Sequence, residues 1–207
     1  MIIEQMIVTG MAVFCYLIAD EKTGEALLID PAGDFDLINE KINKHSAKIR
    51  YIVNTHGHYD HTSRNVYMLK NTDALLLIHE SDFNHLRSFS KNDAAPFSNP
   101  GSKKILLLKH NDIIKLGSIT IKVLHTPGHS AGGISLYTDG NIFTGDTLFT
   151  EGVGRTDLPG GSQKELSKSI IEKILSLPDN TVIWPGHHYG RKPSSTVKEQ
   201  KKYFGVR

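Results

Sequence analysis

Histidine and aspartate side chains that can bind a metal stand in four places in this sequence, each soon after a stretch of apolar residues. The longest segment reads Thr55-His56-Gly57-His58-Tyr59-Asp60-His61, and the other three each place a glycine before a histidine or an aspartate. Imidazole nitrogens and carboxylate oxygens in such groups are ligands of zinc and iron. The sequence therefore predicts a metal site. Its candidate ligands are His56, His58, Asp60, His61, His129, Asp146 and His187.

Five imidazoles and two carboxylates are more ligands than one tetrahedral ion accepts. They suit two ions about 3.5–4 Å apart that share a bridging carboxylate and a bridging hydroxide. His56 and His58 are alternate residues, so an extended backbone directs both side chains to one side. Asp60 and His61 follow after the chain has begun to turn, and they can face a second ion. We therefore expect two divalent metal ions, with zinc ranked before iron or manganese.

Each of these side chains, taken alone, also has an ordinary structural interpretation. Asp60 on its own is typical of a loop carboxylate, and Asp146 beside Gly145 is typical of an Asx turn. His188 adjoins His187 and ranks second to it as a ligand. The other histidines are assigned to surface, capping or structural positions: His45, His79, His85, His110 and His125. The combination of the four segments, rather than any single residue, favours the metal site.

The strands and helices predicted between these segments indicate how the segments meet. Hydrophobic and turn patterns predict a β-hairpin around Asp20–Gly24, a strand over Lys48–Asn54 and a second hairpin around Asp139-Gly140. Ser162 has the spacing of a capping residue and begins a strongly amphipathic helix. Residues 81–104 are the least regular part of the chain and are expected to form a loop or lid.

These elements alternate as a strand-rich half, a helix, a second strand-rich half and a final helical part. Two mixed sheets that pack face to face, with helices on their outer faces, bury one face of each sheet on the other. The expected fold class is therefore α+β, arranged as an αββα four-layer sandwich.

The composition is that of a folded protein with no marked affinity for nucleic acid or membranes. The chain has 207 residues, of which 39% are hydrophobic and 22% charged, which is typical of one domain with a real core. A formal charge of +2 gives no electrostatic reason for a nucleic-acid partner. The longest apolar run, Ala12–Ala19, is shorter than the ~20 residues of a membrane span. A single cysteine, Cys15, and no secretory signal favour a cytoplasmic location, and nothing in the sequence indicates the oligomeric state.

The chain resembles a known family at these same residues. It is similar to the metallo-β-lactamase superfamily, and within it to the short bacterial type of glyoxalase II-like hydrolases, the hydroxyacylglutathione hydrolases. The segments that carry the resemblance are Thr55–His61, His125-Thr126-Pro127-Gly128-His129, Phe143–Phe149, Gly154-Arg155-Thr156-Asp157 and Pro185-Gly186-His187. The resemblance covers nearly the whole length and implies the αββα fold.

The resemblance also implies a role for each candidate ligand and two contacts to substrate. The matching positions are His56, His58 and His129 for the first ion, Asp60, His61 and His187 for the second, and Asp146 for the bridge. Arg155 stands where the family has a cationic substrate-binding residue, and Tyr189 where it has a tyrosine. An ion pair between Arg155 and Asp157 that shapes the loop is an equally good interpretation of the arginine.

The chain departs from full-length glyoxalase II at its C-terminal end. That enzyme carries an added C-terminal helical domain that helps to bind glutathione, whereas 20 residues follow His187 here. We therefore expect one metallo-β-lactamase-fold domain over residues 1–207, without the helical domain.

The resemblance implies a metal-dependent hydrolase that uses a metal-bridging hydroxide. A thioester such as S-lactoylglutathione is the expected small-molecule substrate, because its thiolate leaves without a general acid and the sequence shows no obvious one. Asp60 is expected to act in catalysis as a ligand and orienting group rather than as a free base. The alternative is a mononuclear iron persulfide dioxygenase of the same fold, with His56, His129 and Asp146 as its iron ligands.

Overall fold

Two six-stranded sheets, drawn from the two halves of the chain, form the centre of the protein. The computed structural model describes residues 1–89 and 104–206. The first sheet contains β1 (Ile2–Ile7), β2 (Phe14–Ala19), β3 (Glu25–Ile29), β4 (Lys48–Val53), β5 (Leu75–His79) and β6 (Ile105–Leu108). The second begins with β7 (Ile113–Leu116), β8 (Ile119–His125), β9 (Ile134–Thr138) and β10 (Asn141–Gly145). A separate two-stranded ribbon follows in the chain, made of β11 (Leu148–Phe149) and β12 (Gly152–Val153). The second sheet is completed by β13 (Val182–Pro185) and β14 (Ser195–Thr196).

Both sheets are mixed, as the sequence pattern predicts. In the first sheet the strands pair in sequence order, antiparallel from β1 to β3 and parallel from β3 to β6. The second has the order β14-β13-β10-β9-β8-β7, and β10 pairs with β13 in parallel. Because parallel strands bring their carboxyl ends to one edge, the loops after β3 and β4 open on the same side of the sheet.

Helices cover the outer faces of the two sheets. Those of the described chain are α1 (Phe35–Lys44), α2 (Tyr59–Thr62), α3 (Asn65–Asn71), α4 (Glu80–Phe89), α5 (Gln163–Ser169) and α6 (Val197–Phe204). α5 begins at the predicted cap, where the Ser162 side chain accepts a hydrogen bond from the backbone N–H of Glu165. It continues directly as a π-helical segment, Ile170–Ile174. Within the described residues, no helix has both the length and the apolar character needed to cross a membrane.

The buried side chains of β2 show how the layers are joined. All six residues of this strand are buried, and alternate residues face opposite sides of the first sheet. Phe14 and Tyr16 point toward the second sheet, where the ring of Tyr16 lies edge-on to Phe143 with their centroids 5.0 Å apart. Cys15 and Leu17 point the other way, into a cluster with Ile38 of α1.

The outer face of the second sheet is covered in the same manner. Ile142 and Ile183 pack there against Leu166 of α5 and Ile174 of the π-helical segment. Three apolar layers therefore separate four layers of secondary structure, in the order helix, sheet, sheet, helix. The αββα sandwich predicted from the sequence is confirmed.

The prediction of a loop or lid over residues 81–104 is wrong for its first part. α4 occupies Glu80–Phe89, and its side chains Phe83 and Leu86 are buried against the first sheet. The hydrophobic pattern did not predict α4 because the buried face of this helix includes a polar residue, Asp82. This residue contacts the site described below. The remainder of the predicted loop, residues 90–103, lies outside the described residues.

Candidate metal centre

The four predicted ligand segments meet at one edge of the sandwich. The Thr55–His61 segment follows β4 in the first sheet, whereas His129 lies in the loop between β8 and β9 of the second. Asp146 directly follows β10, and His187 comes two residues after β13. The site is therefore built across the two sheets, and neither sheet carries it alone.

One cluster of ligand atoms contains His56, His58 and His129. One nitrogen from each of these three imidazoles lies within 4.8 Å of the other two. The Nε2 atom of His129 is 2.9 Å from Nδ1 of His58. This cluster is the set that the family resemblance assigns to the first ion.

A second cluster lies beside the first and contains Asp60, His61 and His187. Their ligand atoms also lie within 4.8 Å of one another. The two Nε2 atoms of His61 and His187 face each other at 3.1 Å. The Oδ2 atom of Asp60 is 3.6 Å from Nε2 of His61 and 3.5 Å from Nε2 of His187.

Asp146 lies between the two clusters. One carboxylate oxygen, Oδ2, is 3.6 Å from Nε2 of His129 and 3.3 Å from Nε2 of His187. The other, Oδ1, is 3.4 Å from Nε2 of His61. The structure thus brings all seven predicted residues together, and Asp146 occupies the position that a bridging ligand requires.

Backbone carbonyl groups fix the orientation of two of these imidazoles. Nδ1 of His129 lies 2.8 Å from the carbonyl oxygen of Arg155, and Nδ1 of His187 lies 2.9 Å from that of Met11. A carbonyl group only accepts hydrogen bonds, so Nδ1 must carry the proton in both rings. The Nε2 atom of each ring is therefore directed into the site.

The buried carboxylate of Asp30 fixes the orientation of His56 and His61, which follow β4 of the first sheet. Its Oδ2 atom accepts hydrogen bonds from the Thr55 hydroxyl at 2.6 Å and from Nδ1 of His61 at 2.9 Å. Since the Thr55 hydroxyl donates to Asp30, its oxygen accepts from Nδ1 of His56 at 3.1 Å. Partners of this kind set the tautomer of a metal-binding histidine and raise its basicity.

The protonation states of the site follow from burial and charge. Burial holds the pKa of His58 at about 4 and that of His56 well below its usual value, so both rings are neutral at pH 7. Burial also opposes charge on His61, but the carboxylates of Asp146 and Asp30 outweigh it and raise its pKa to about 9. Burial disfavours the charged form of Asp146 too, yet His61 and His187 lower its pKa.

These observations test whether the residues fit divalent cations. The two Nε2 atoms of His61 and His187 lie 3.1 Å apart, a distance at which a proton or another cation must lie between them. The Nε2 atom of His56 and the Oδ1 atom of Asp146 are buried without a hydrogen-bond partner in the described part of the chain. Buried polar atoms rarely stay unpaired, so the donor set fits metal ions.

Asp30 is a functional residue that the sequence reasoning missed. It is 1% exposed and has a left-handed backbone conformation, with φ of 50°. It directly follows β3, which is the same relation to a strand end that identified the other ligands. That rule, applied to every strand, finds Asp30 as well.

Asp82 of α4 was also missed, and it joins the two sheets at the site. One of its carboxylate oxygens accepts a hydrogen bond from the backbone N–H of Gly57 at 2.9 Å, and the other accepts from that of Gly132 at 2.5 Å. Gly57 lies between His56 and His58, and Gly132 lies in the β8–β9 loop that carries His129. Asp82 thereby fixes the distance between the two loops.

We expect Asp82→Ala to weaken both the fold and the metal centre. Two buried N–H groups lose their acceptors, which should lower the free energy of unfolding of the metal-free protein by about 2–4 kcal/mol. Metal affinity should fall about 10–100-fold, as for other groups that hold ligands in place. Urea unfolding and metal titration measure the two effects. Asp73→Ala, at an exposed aspartate, is the control, and equal metal affinity in the two variants would contradict the role of Asp82.

A cleft of about 570 Å³ opens above the two clusters. Arg155 and Tyr189, the two predicted substrate contacts, both line it. Arg155 forms a two-point ion pair with Asp157, with N···O distances of 2.7 and 2.6 Å, so the loop-shaping interpretation of this residue is realised. Tyr189 stacks on the ring of His187 with centroids 4.4 Å apart, and 55% of its surface is exposed at the mouth.

The other histidines belong to neither ligand cluster. His188 packs against Phe14. His79 and His125 stack with ring centroids 4.0 Å apart, and burial together with His125 lowers the pKa of His79 to about 4. His45 lies 2.6 Å from a carboxylate oxygen of Glu4.

Comparison with known proteins identifies the family. The sequence profile of the Metallo-beta-lactamase superfamily matches residues 8–187, a span that contains all seven candidate ligands. The chain belongs to the metallo-β-lactamase superfamily. This superfamily comprises metal-dependent hydrolase-like proteins, in agreement with the site geometry.

Relatives within the metallo-β-lactamase superfamily cover almost the whole chain. A probable polyketide biosynthesis zinc-dependent hydrolase, BaeB of Bacillus velezensis, is 29% identical over 198 residues, which are 93% of this chain and 82% of BaeB. The crystal structure of ETHE1 from Myxococcus xanthus has a TM-score of 0.81 at 27% identity, over 98% of this chain and 83% of that one. TTHA1623, solved in a di-iron-bound form, has a TM-score of 0.78 at 25% identity, over 97% and 98% of the two chains.

Proposed function

We propose that this protein is a binuclear metallo-hydrolase of the glyoxalase II-like type, and that it cleaves thioesters. The observation that carries the proposal is the position of Asp146, whose two carboxylate oxygens face both ligand clusters at 3.3–3.6 Å. Such a carboxylate is expected where two ions share a bridging ligand. The zinc-dependent hydrolase named among the relatives supports the reaction class, and the di-iron form of TTHA1623 supports two ions.

The ions, when bound, supply a hydroxide that forms at neutral pH and a Lewis acid for the substrate carbonyl. The protein's own side chains hold and orient them. His56, His58 and His129 would hold one ion, and the cluster around His187 would hold the other. Asp60 is 22% exposed and reaches the cleft, so it is placed to orient the attacking water as well as to bind.

The chemistry of the leaving group favours a thioester. A thiol has a pKa of about 8.5, so its thiolate departs without prior protonation, unlike an alkoxide or an amine. The cleft fits this requirement because, apart from Asp146 and the two clusters, its described charged lining residues are Arg155 and Glu151, which are already paired with Asp157 and Arg191. Arg155 and Tyr189 are proposed to contact the substrate, and glutathione is the first candidate for its thiol carrier.

A mononuclear iron dioxygenase that oxidises a persulfide is the second candidate function. It would use His56, His129 and Asp146 as a three-residue iron site. The second cluster argues for the hydrolase, since Asp60, His61 and His187 form a three-residue ligand group that a single ion held by His56, His129 and Asp146 would not use. The two functions also require different numbers of ions.

Metal analysis followed by two assays tests the proposal. We expect about two ions per chain in the purified protein and release of free thiol from S-lactoylglutathione. One iron per chain, with oxygen uptake on addition of glutathione persulfide and no thiol release from thioesters, would instead establish the dioxygenase. A thioesterase activity that survives complete removal of metal by a chelator would refute both.

A further inference from the structure

The cleft above the metal centre lies between two further pockets of opposite character. The ribbon of β11 and β12 forms one wall of the cleft. Glu151, at the turn of this ribbon, also lines a pocket beside α6, whereas Val153 and Arg155 also line a groove beside α5. The cleft therefore adjoins both pockets through shared wall residues.

The pocket beside α6 is charged. Arg191 and Lys192 line it together with Lys202 and two glutamates. Arg191 pairs with Glu151 at 2.7 Å, and Lys192 pairs with Glu199 at the same distance. These exposed pairs are weak and exchange partners readily, so this pocket suits a polar or anionic group.

The groove beside α5 is apolar, and we refer to it as the apolar groove. Its volume is about 470 Å³, within the range of about 300–1,000 Å³ that is usual for small-molecule sites. Its main apolar lining residues are Val153, Leu166, Ile170, Ile171, Phe204 and Val206. Among the described residues that line it, Arg155 alone is charged, and Asp157 neutralises it. Ile171 is 53% exposed and Phe204 38%, so the rim presents apolar surface to solvent.

We infer that the apolar groove binds the acyl group of the substrate, and that the substrates are thioesters with an extended aliphatic acyl chain. This inference rests on the proposed function. A thioester joins a polar thiol carrier to an acyl group through the bond that breaks, and the cleft over the metal centre shares wall residues with a charged pocket and with an apolar one. Water adds to the acyl carbon and the C–S bond breaks, which gives a carboxylic acid on the side of the groove and a thiol on the side of α6.

A chain-length series tests the inference. The probes are the S-acetyl, S-hexanoyl and S-decanoyl thioesters of glutathione, which differ only in the acyl group. Each methylene group that leaves water strengthens binding by up to about fourfold, so kcat/KM should rise at least about tenfold from acetyl to decanoyl. Ile171→Glu, at the exposed rim, should lower kcat/KM for decanoyl at least about tenfold more than for acetyl.

Ile113→Glu is the matched control, because Ile113 is also about half exposed but lies on β7, outside the pockets that adjoin the cleft. It should leave the whole series unchanged. Equal kcat/KM for all chain lengths, or equal losses for short and long chains in Ile171→Glu, would overturn the inference while the proposed function stands. A wild-type dimer that becomes a monomer in Ile171→Glu, with an unchanged chain-length series, would make the groove an interface between copies.

Binding of a non-hydrolysable probe separates the inference from the proposed function. If no thioester is cleaved, the proposed function fails, and calorimetry with S-decylglutathione, a thioether, still tests the groove. Binding to the wild type that is at least about tenfold weaker in Ile171→Glu supports an apolar-chain site, and equal or absent binding in both rejects it.

Discussion

Asp146→Ala will lose metal and thioesterase activity together. Its carboxylate lies 3.3–3.6 Å from nitrogens of both ligand clusters, so its removal withdraws an oxygen ligand from each proposed ion at once. Groups that only support a ligand change metal affinity or activity by about 10–100-fold, and a shared ligand should exceed that. We expect fewer than two ions per chain and a fall in kcat/KM of at least about a hundredfold.

Metal content and turnover must be measured on the same sample, together with the circular dichroism spectrum. Asp139→Asn is the control, since Asp139 lies in the exposed β9–β10 turn seven residues away and has a left-handed backbone that asparagine adopts well. It should retain both ions and full activity. Full turnover with two ions per chain in Asp146→Ala would contradict the bridging role.

Asp30→Asn will selectively weaken the ion bound by the second cluster. The amide that replaces Oδ2 of Asp30 donates hydrogen bonds and does not accept one from Nδ1 of His61. The ring of His61 then favours the tautomer with the proton on Nε2, which removes the lone pair that faces His187. We expect affinity for one of the two ions to fall about 10–100-fold, with a smaller change for the other.

Titration with cobalt or zinc resolves the two binding steps in this variant. Asp34→Asn is the matched control, because Asp34 caps α1 four residues away and asparagine caps a helix as well as aspartate does. Thermal unfolding of the metal-free proteins shows whether a general loss of stability accounts for the change. Two unaltered binding steps in Asp30→Asn would show that His61 does not depend on this carboxylate.

The candidate ligands could be picked out from the sequence because their signal is local. Each ligand segment follows a strand and contains its own glycine, so spacing alone identified His56, His129 and Asp146. The layer order was also predictable, because β2 and α5 carry hydrophobic patterns that specify which faces are buried. Those patterns depend only on the periods of strands and helices.

The parts that were not predicted depend on contacts between distant residues. Asp82 lies in α4, where polar residues interrupt the hydrophobic period of the helix. The two hydrogen-bond partners of Asp82, Gly57 and Gly132, lie in loops of different sheets. No spacing within the sequence reveals that relation. The two pockets that flank the cleft arise in the same way, since α5 and α6 are brought beside β12 by the packing of the second sheet.

The division of the ligands between the two sheets has a consequence for biosynthesis. A nascent chain that has left the ribosome only as far as β6 carries His56, His58 and His61 but lacks the residue that completes either cluster. The first cluster is completed by His129, which follows β8, and the second by His187, which follows β13. Binding of metal at the proposed centre therefore requires that both sheets have formed and docked.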